Sequence, residues 1–151
     1  MTTTIGKYSN YFNPEQNRLA KDTKKRVIGT LMGEYGDNGA LEVTNCFAVP
    51  FEEDKDEPEI WFFDHIYHEQ MFAMMRKINS REKIIGWYST GPRIRQNDID
   101  INEILRRYNS NPIFVVIRVN DEDNISLPTD AYFSTEETDD NGNIRRQFTH
   151  I

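Results

Sequence analysis

A single cysteine, Cys46, in 151 residues leaves no internal disulfide to staple the fold, and the opening Met1, Thr2, Thr3 and Thr4 start no apolar targeting segment. Both features point to an intracellular, reducing compartment. Long hydrophobic runs are missing as well. None approaches the roughly 20 residues that a membrane-spanning helix needs, so no membrane association is expected. Excess positive charge is also lacking: 25 acidic residues against 18 basic ones give a net charge of −7, with a pI near 5.0. A chain of that sign has no general attraction to a polyphosphate, and nucleic acid is not an expected partner. There is no internal repeat and no low-complexity tract.

What is present is enough for one folded domain. Nine Phe, seven Tyr and two Trp accompany apolar residues gathered in short runs, and a chain of this length buries a core without metals or disulfides. Residues 1–25 are polar and read as a loose arm with a short helix at Pro14 to Lys21; residues 26–151 read as the domain. Arg26 to Gly33 is a continuous β-branched and apolar run, as in a strand covered on both faces. Gly36-Asp37-Asn38-Gly39 is a turn signal, and the alternating Leu41 to Val49 completes a hairpin. Pro50 to Glu59, with six acidic residues and two prolines, is expected to be an exposed loop.

From Phe63 to Ile78, apolar residues at Phe63, Tyr67, Met71, Met74 and Ile78 predict a helix with one core-facing stripe, widened by Met75. Phe72 falls off that stripe, beside His65 and His68. It is either a stray surface aromatic or part of a second apolar face that meets a partner. Lys83 to Tyr88 is a compact strand ending in Ser89-Thr90-Gly91-Pro92. Asn97 to Tyr108 follows as a helix with Ile101, Ile104, Leu105 and Tyr108 on one side and Asn97 or Asp98 as its N-cap. Ile113 to Val119 reads as a buried strand, Asp121 to Asn124 as a turn, and Thr129 to Glu136 and Ile144 to Ile151 as a hairpin closed at Asp139 to Gly142. The order of elements predicts an α/β fold, a central mixed sheet with helices packed against it.

The search for chemistry yields little. His65 and His68, with Asp64 and Glu69 nearby, have metal-compatible spacing, but a solvated polar helix face explains all four equally well. Cys46 lies within a strand as a small hydrophobe, no serine sits in a Gly-x-Ser-x-Gly elbow, and the glycines fit neither phosphate-binding fingerprint. The acidic run lacks the spaced ligands and turn glycine of a calcium loop.

One set of motifs does carry a resemblance. Gly86-Trp87-Tyr88-Ser89-Thr90-Gly91-Pro92, with Arg26-Val27-Ile28-Gly29-Thr30-Leu31-Met32-Gly33 and Asn45-Cys46-Phe47-Ala48-Val49-Pro50, resembles the MPN domain family, in family order and from about Lys25 onward. The resemblance implies the MPN, deaminase-like fold. Trp61 to His65, Asn97-Asp98-Ile99, Ile101-Asn102-Glu103 and Leu127 to Tyr132 look most like the non-catalytic MPN subunits of the proteasome regulatory-particle lid. The f-type MPN component of translation initiation factor three is the nearest alternative.

Active members of this family are zinc isopeptidases. Two neutral imidazoles and a carboxylate hold the metal with one position open for water, and a glutamate serves as base. Carried over by position, the glutamate is Arg26, the two histidines are Ser89 and Gly91, the serine is Ile99 and the aspartate is Asn102. The resemblance therefore implies no zinc, no other cofactor and no hydrolysis. It implies instead a cytoplasmic and nuclear binding subunit, pairing with the catalytic MPN deubiquitinase of the lid or, in isolation, with itself. The expected contact is the helix from Phe63 to Ile78, through His68, Phe72 and Met75. An active isopeptidase and a small-molecule site beside Trp87 are the remaining readings.

Overall fold

A computed structural model describes residues 3–4, 25–54, 56–91, 93–118 and 129–151. The expected helix at Pro14 to Lys21, most of the arm and the turn at Asp121 to Asn124 lie outside the described residues. In chain order the elements are β1 (Thr3–Thr4), β2 (Ile28–Tyr35), β3 (Leu41–Val49), β4 (Phe51–Glu53), β5 (Trp61–Phe63), α1 (His65–Ile78), β6 (Lys83–Ser89), α2 (Asp98–Leu105), β7 (Ile113–Ile117), β8 (Thr129–Thr138) and β9 (Ile144–His150). Seven strands form one mixed sheet in the order β1-β3-β2-β6-β7-β8-β9, while β4 and β5 make a separate two-stranded sheet. β6 and β7 run parallel, joined by α2 as the crossover. The turns of the two long hairpins place Gly39 and Gly142 at φ 78° and 84°, a region that glycine enters without steric cost.

Both described helices pack on one face of the sheet. Ile28, Met32, Trp87, Phe114 and Val116 meet Ile101, Ile104 and Leu105 of α2 and, less deeply, Met71, Phe72 and Met75 of α1. Trp87 stacks flat on Phe114 across the β6–β7 pairing, with ring centroids 3.9 Å apart. The opposite face buries Leu31, Leu41, Val43, Ile85, Tyr88, Ile113, Val115 and Ile117. β6 supplies side chains to both faces, as any strand does, but a bulge interrupts its alternation. Leu31 pairs with Gly86 and Met32 with Ile84, so Ile85 is the extra residue. A bulge shifts the alternation by one, which turns Trp87 and Ser89 toward the helices instead of away from them.

Two expectations need correction. Phe51 to Glu53 is a strand paired with Trp61 to Phe63 and not part of an exposed acidic loop, and Glu53 turns to a buried cationic partner, Arg26. The stripe on α1 is also rotated from its expected orientation. His68 is buried, Met71, Phe72 and Met75 are half-buried, and Tyr67, Met74 and Ile78 face outward. Phe72 is no stray aromatic, since it packs edge-on against Tyr108. The inward arc at i, i+3, i+4 and i+7 is set by the polar bonds of His68 together with apolar packing, a combination that hydrophobic spacing alone misreads. Among the described residues no helix is long and apolar enough to cross a membrane.

Candidate functional site

Arg26 sits just before β2, and its side chain is 2% exposed. A buried guanidinium needs acceptors on nearly all its donors, and four residues from three elements supply them. Nε and Nη2 form a two-pronged pair with Glu53 of β4, at 2.8 and 2.7 Å. Nη1 donates to Asp98 Oδ1 at 2.6 Å and to Ser89 Oγ, at the end of β6, at 3.3 Å. Nη2 also donates to Asn97 Oδ1 at 2.9 Å, and the ring of Phe51 lies 5.3 Å from the guanidinium carbon. Thr90 holds the strand ends together: its amide donates to Val27 O at 3.0 Å, and its hydroxyl accepts from Val27 N at 2.8 Å.

The two carboxylates differ in environment. Burial pushes the Glu53 carboxyl up, but hydrogen bonds from Arg26 and Asn97 and the charges of Arg26 and Arg95 outweigh it and hold the group below its ordinary value. Burial wins at Asp98, lifting it above its ordinary value against the pull of Arg26 and the Arg95 amide. Asn97 is the N-cap of α2 by position, yet its side chain caps nothing. It is spent on Arg26 and, through Nδ2, on Glu53 at 3.0 Å.

The other positions that the resemblance pointed to are likewise engaged or empty. Asn102 is fully buried; its Oδ1 accepts from Trp87 Nε1 at 2.9 Å and its Nδ2 donates to Ser134 Oγ at 3.0 Å. Ser89 Oγ accepts from Arg26 and from the Gly91 amide at 3.3 Å. A Cβ built on Gly91 would make only ordinary contacts, including one with Cδ of Arg26 at 3.6 Å. Ile99 is half-buried on α2 and makes no polar contribution. Arg26 and Ser89 meet directly, and Gly91 lies beside them, while Asn102 faces inward. Among the described residues no three His, Cys, Asp or Glu side chains are placed to hold a metal ion.

Asn102→Ala strands two buried polar groups, the Trp87 N–H and part of the Ser134 hydroxyl. It is expected to cost about 2 kcal/mol in urea unfolding at neutral pH.

Glu53, Asn97 and Arg95 were not singled out as site residues by sequence reasoning. The signal was present: a cation at a buried strand entrance requires carboxylates, and Glu53 and Asp98 lie in the flanking segments.

His68 points into the domain. Tyr108 gives its hydroxyl proton to Glu69, so its oxygen takes the Nδ1–H of His68 at 3.3 Å. Nε2 is then the acceptor for Thr30 Oγ1, at 2.9 Å. Asp64 accepts from the Tyr67 amide as the helix cap. Asp64, His68 and Glu69 thus each have a structural task, and they form no metal site. As a partner-contact residue His68 is excluded by its burial.

Burial, helped by the charge of His65, pushes His68 down from 6.5 to about 4. The sign follows directly. Above pH 6.5 the ring is neutral in both states; between 6.5 and 4 the unfolded chain takes up a proton that the folded domain refuses. Stability therefore falls across that window, by at most about 3 kcal/mol. His68→Gln is expected to flatten this part of the urea-midpoint profile, and an unchanged slope would assign the acid sensitivity elsewhere.

A family model described as "JAB1/Mov34/MPN/PAD-1 ubiquitin protease" matches residues 7–111, more than half of the chain. A Dictyostelium discoideum protein named 26S proteasome non-ATPase regulatory subunit 7 is 51% identical over 136 residues, covering 89% of this chain and 41% of its own length. An Arabidopsis thaliana protein named 26S proteasome non-ATPase regulatory subunit 7 homolog B is 47% identical over 137 residues, 89% of this chain and 44% of that protein. Similarity to a Drosophila willistoni component of eukaryotic translation initiation factor 3 is shorter, 40% over 92 residues, 61% of this chain and 31% of that one. The chain spans about two fifths of the length of these proteasome relatives. It belongs to the JAB1/Mov34/MPN/PAD-1 family.

Proposed function

We propose that this chain is the MPN part of a non-catalytic proteasome lid subunit. It pairs MPN to MPN with the zinc deubiquitinase of the lid and supports degradation of ubiquitinated proteins in the cytoplasm and nucleus. The observation that carries the non-catalytic reading is the Arg26 guanidinium, placed where the isopeptidase motif needs a base and bonded to Glu53, Asp98, Asn97 and Ser89. That donor set does not fit zinc. A fixed cation occupies the centre, Gly91 has no ligand to offer, and the Asn102 amide is tied to Trp87 and Ser134. The proteasome reading draws on the identity and coverage of the lid-subunit relatives, which exceed those of the translation-factor relative.

With no reaction to perform, binding remains, and α1 offers the surface. Ile66 is 72% exposed, Met74 46% and Ile78 76%, with Tyr67 beside them. Apolar helix surface of this kind seeks cover. Phe72 and Met75 contribute at most their half-exposed edges. In isolation the same face would support a homodimer.

Three measurements test the reading. Affinity purification of the tagged chain from cell extract should bring down lid subunits, and recovery of translation factor components alone would overturn the assignment. Metal analysis after chelator-free purification should find no stoichiometric zinc, and ubiquitin chains should stay intact. The small-molecule reading beside Trp87 is not retained, because Trp87 is completely buried.

A further inference from the structure

Next to the Arg26 network an open cleft of about 430 Å³ lies between Glu53, Asp54 and Pro58 on one side and Arg93, Arg95 and Asn97 on the other. The second wall carries cationic capacity that the fold does not use. Arg93 is exposed and makes no ion pair among the described residues. Arg95 makes one side-chain bond, from Nη1 to Glu53 Oε1 at 3.2 Å. Its Nε is the one buried side-chain nitrogen or oxygen among the described residues that has no partner.

A buried donor without an acceptor is unfavourable and calls for an explanation. Glu53 does not depend on Arg95, since Arg26 and Asn97 already donate to it. The Arg95 guanidinium is therefore free to turn, and a carboxylate entering the cleft can accept two parallel N–H bonds, one of them from the orphaned Nε. The opposite wall limits what enters. Asp54 stands at the rim, with Oδ1 accepting from the amides of Asp56 and Glu57 at 2.8 and 3.1 Å. Glu57 and Glu59 follow in the same acidic segment. A polyanion is repelled there, whereas a single carboxylate reaches the arginine wall.

We infer that this cleft binds one carboxylate group of a peptide, with Arg95 as the two-pronged donor and Arg93 as the second cation. The inference stands with or without the lid assignment. Its test is an NMR titration of the ¹⁵N-labelled chain that follows the Arg95 Nε–Hε resonance. The probes are acetyl-Gly-Glu-Gly-amide, acetyl-Gly-Gly with a free C-terminus, and acetyl-Gly-Gln-Gly-amide as the uncharged control.

A saturable displacement by one or both carboxylate peptides, absent with the control, is expected. Whichever peptide acts identifies a side chain or a chain terminus as the source. Arg93→Gln, an exposed substitution that leaves the fold intact, should weaken the apparent affinity by about fivefold. No saturable displacement, an equal response to the glutamine peptide, or undiminished binding in Arg93→Gln would overturn the inference.

Discussion

Arg26→Leu is expected to lower the stability of the domain by about 3–5 kcal/mol, the range for breaking a buried ion pair from one side. For a domain of this size that corresponds to a fall in melting temperature of about 10 °C. The loss is large because the leucine strands two carboxylates, not one. Asp98 is wholly buried, Glu53 is 13% exposed on its side chain, and both reach the guanidinium at under 3 Å. Arg26→Lys should recover part of the loss, since an ammonium supplies charge but cannot span Glu53, Asp98 and Asn97 together. Arg26→Glu should be worse than leucine, because it gathers three carboxylates.

The pH dependence separates this account from simple loss of packing. Without Arg26 the Asp98 carboxyl, already raised by burial, moves further up, and Glu53 loses the hydrogen bonds and charge of the guanidinium that hold it down. The contribution of a raised carboxyl is favourable below the unfolded carboxylate range and lost as pH rises. The deficit of Arg26→Leu should therefore shrink as the pH approaches 4. A leucine variant that melts with the parent, or whose deficit is the same at pH 4 and 7, would show that the network does not hold β4, β6 and α2 together.

Much of the fold was legible in the sequence because its periodic signals were local. The bounds of β3, the Gly39 and Gly142 turns, the pure apolar run of β7 and the inward face of α2 follow from residues that depend mainly on their neighbours. The failures share a cause in longer-range partners. Leu41 to Val49 looks like one alternation, but a register shift between Met32 and Gly33 skips Thr44. As a result Leu41 and Val43 face one side and Phe47 and Val49 the other. Ile85 does the same in β6.

Glu53 looked like one more solvated acid in a charge run. Only Arg26, 27 residues away in sequence, makes it a buried ligand. The motif positions rest on carry-over from the resemblance, which says nothing of what Arg26 does; that comes from the geometry alone.

The rotation of α1 leads to the second large effect. Tyr67, Met74 and Ile78, at i, i+7 and i+11, form a true line along the helix. The sequence reading turned it inward because apolar stripes ordinarily meet the core. In the folded chain that line faces out, and Ile66 extends it. Met74→Asp combined with Ile78→Asp removes exposed apolar surface without touching the buried arc of His68, Met71, Phe72 and Met75, so unfolding should move by no more than about 0.5 kcal/mol.

Association with the purified catalytic MPN subunit should nonetheless weaken by more than about tenfold, since a charge placed among desolvated apolar anchors costs well over 1.4 kcal/mol. Phe72→Asp should behave in the opposite way. It drives a carboxylate against the Tyr108 ring and lowers the stability of the isolated domain first, so any loss of binding it causes tracks unfolding. Binding measured by calorimetry alongside melting curves distinguishes the two. If the double variant binds like the parent, α1 is not the contact. If Phe72→Asp abolishes binding with its melting temperature intact, the half-exposed edge of Phe72 carries the interface that the outward line was expected to carry.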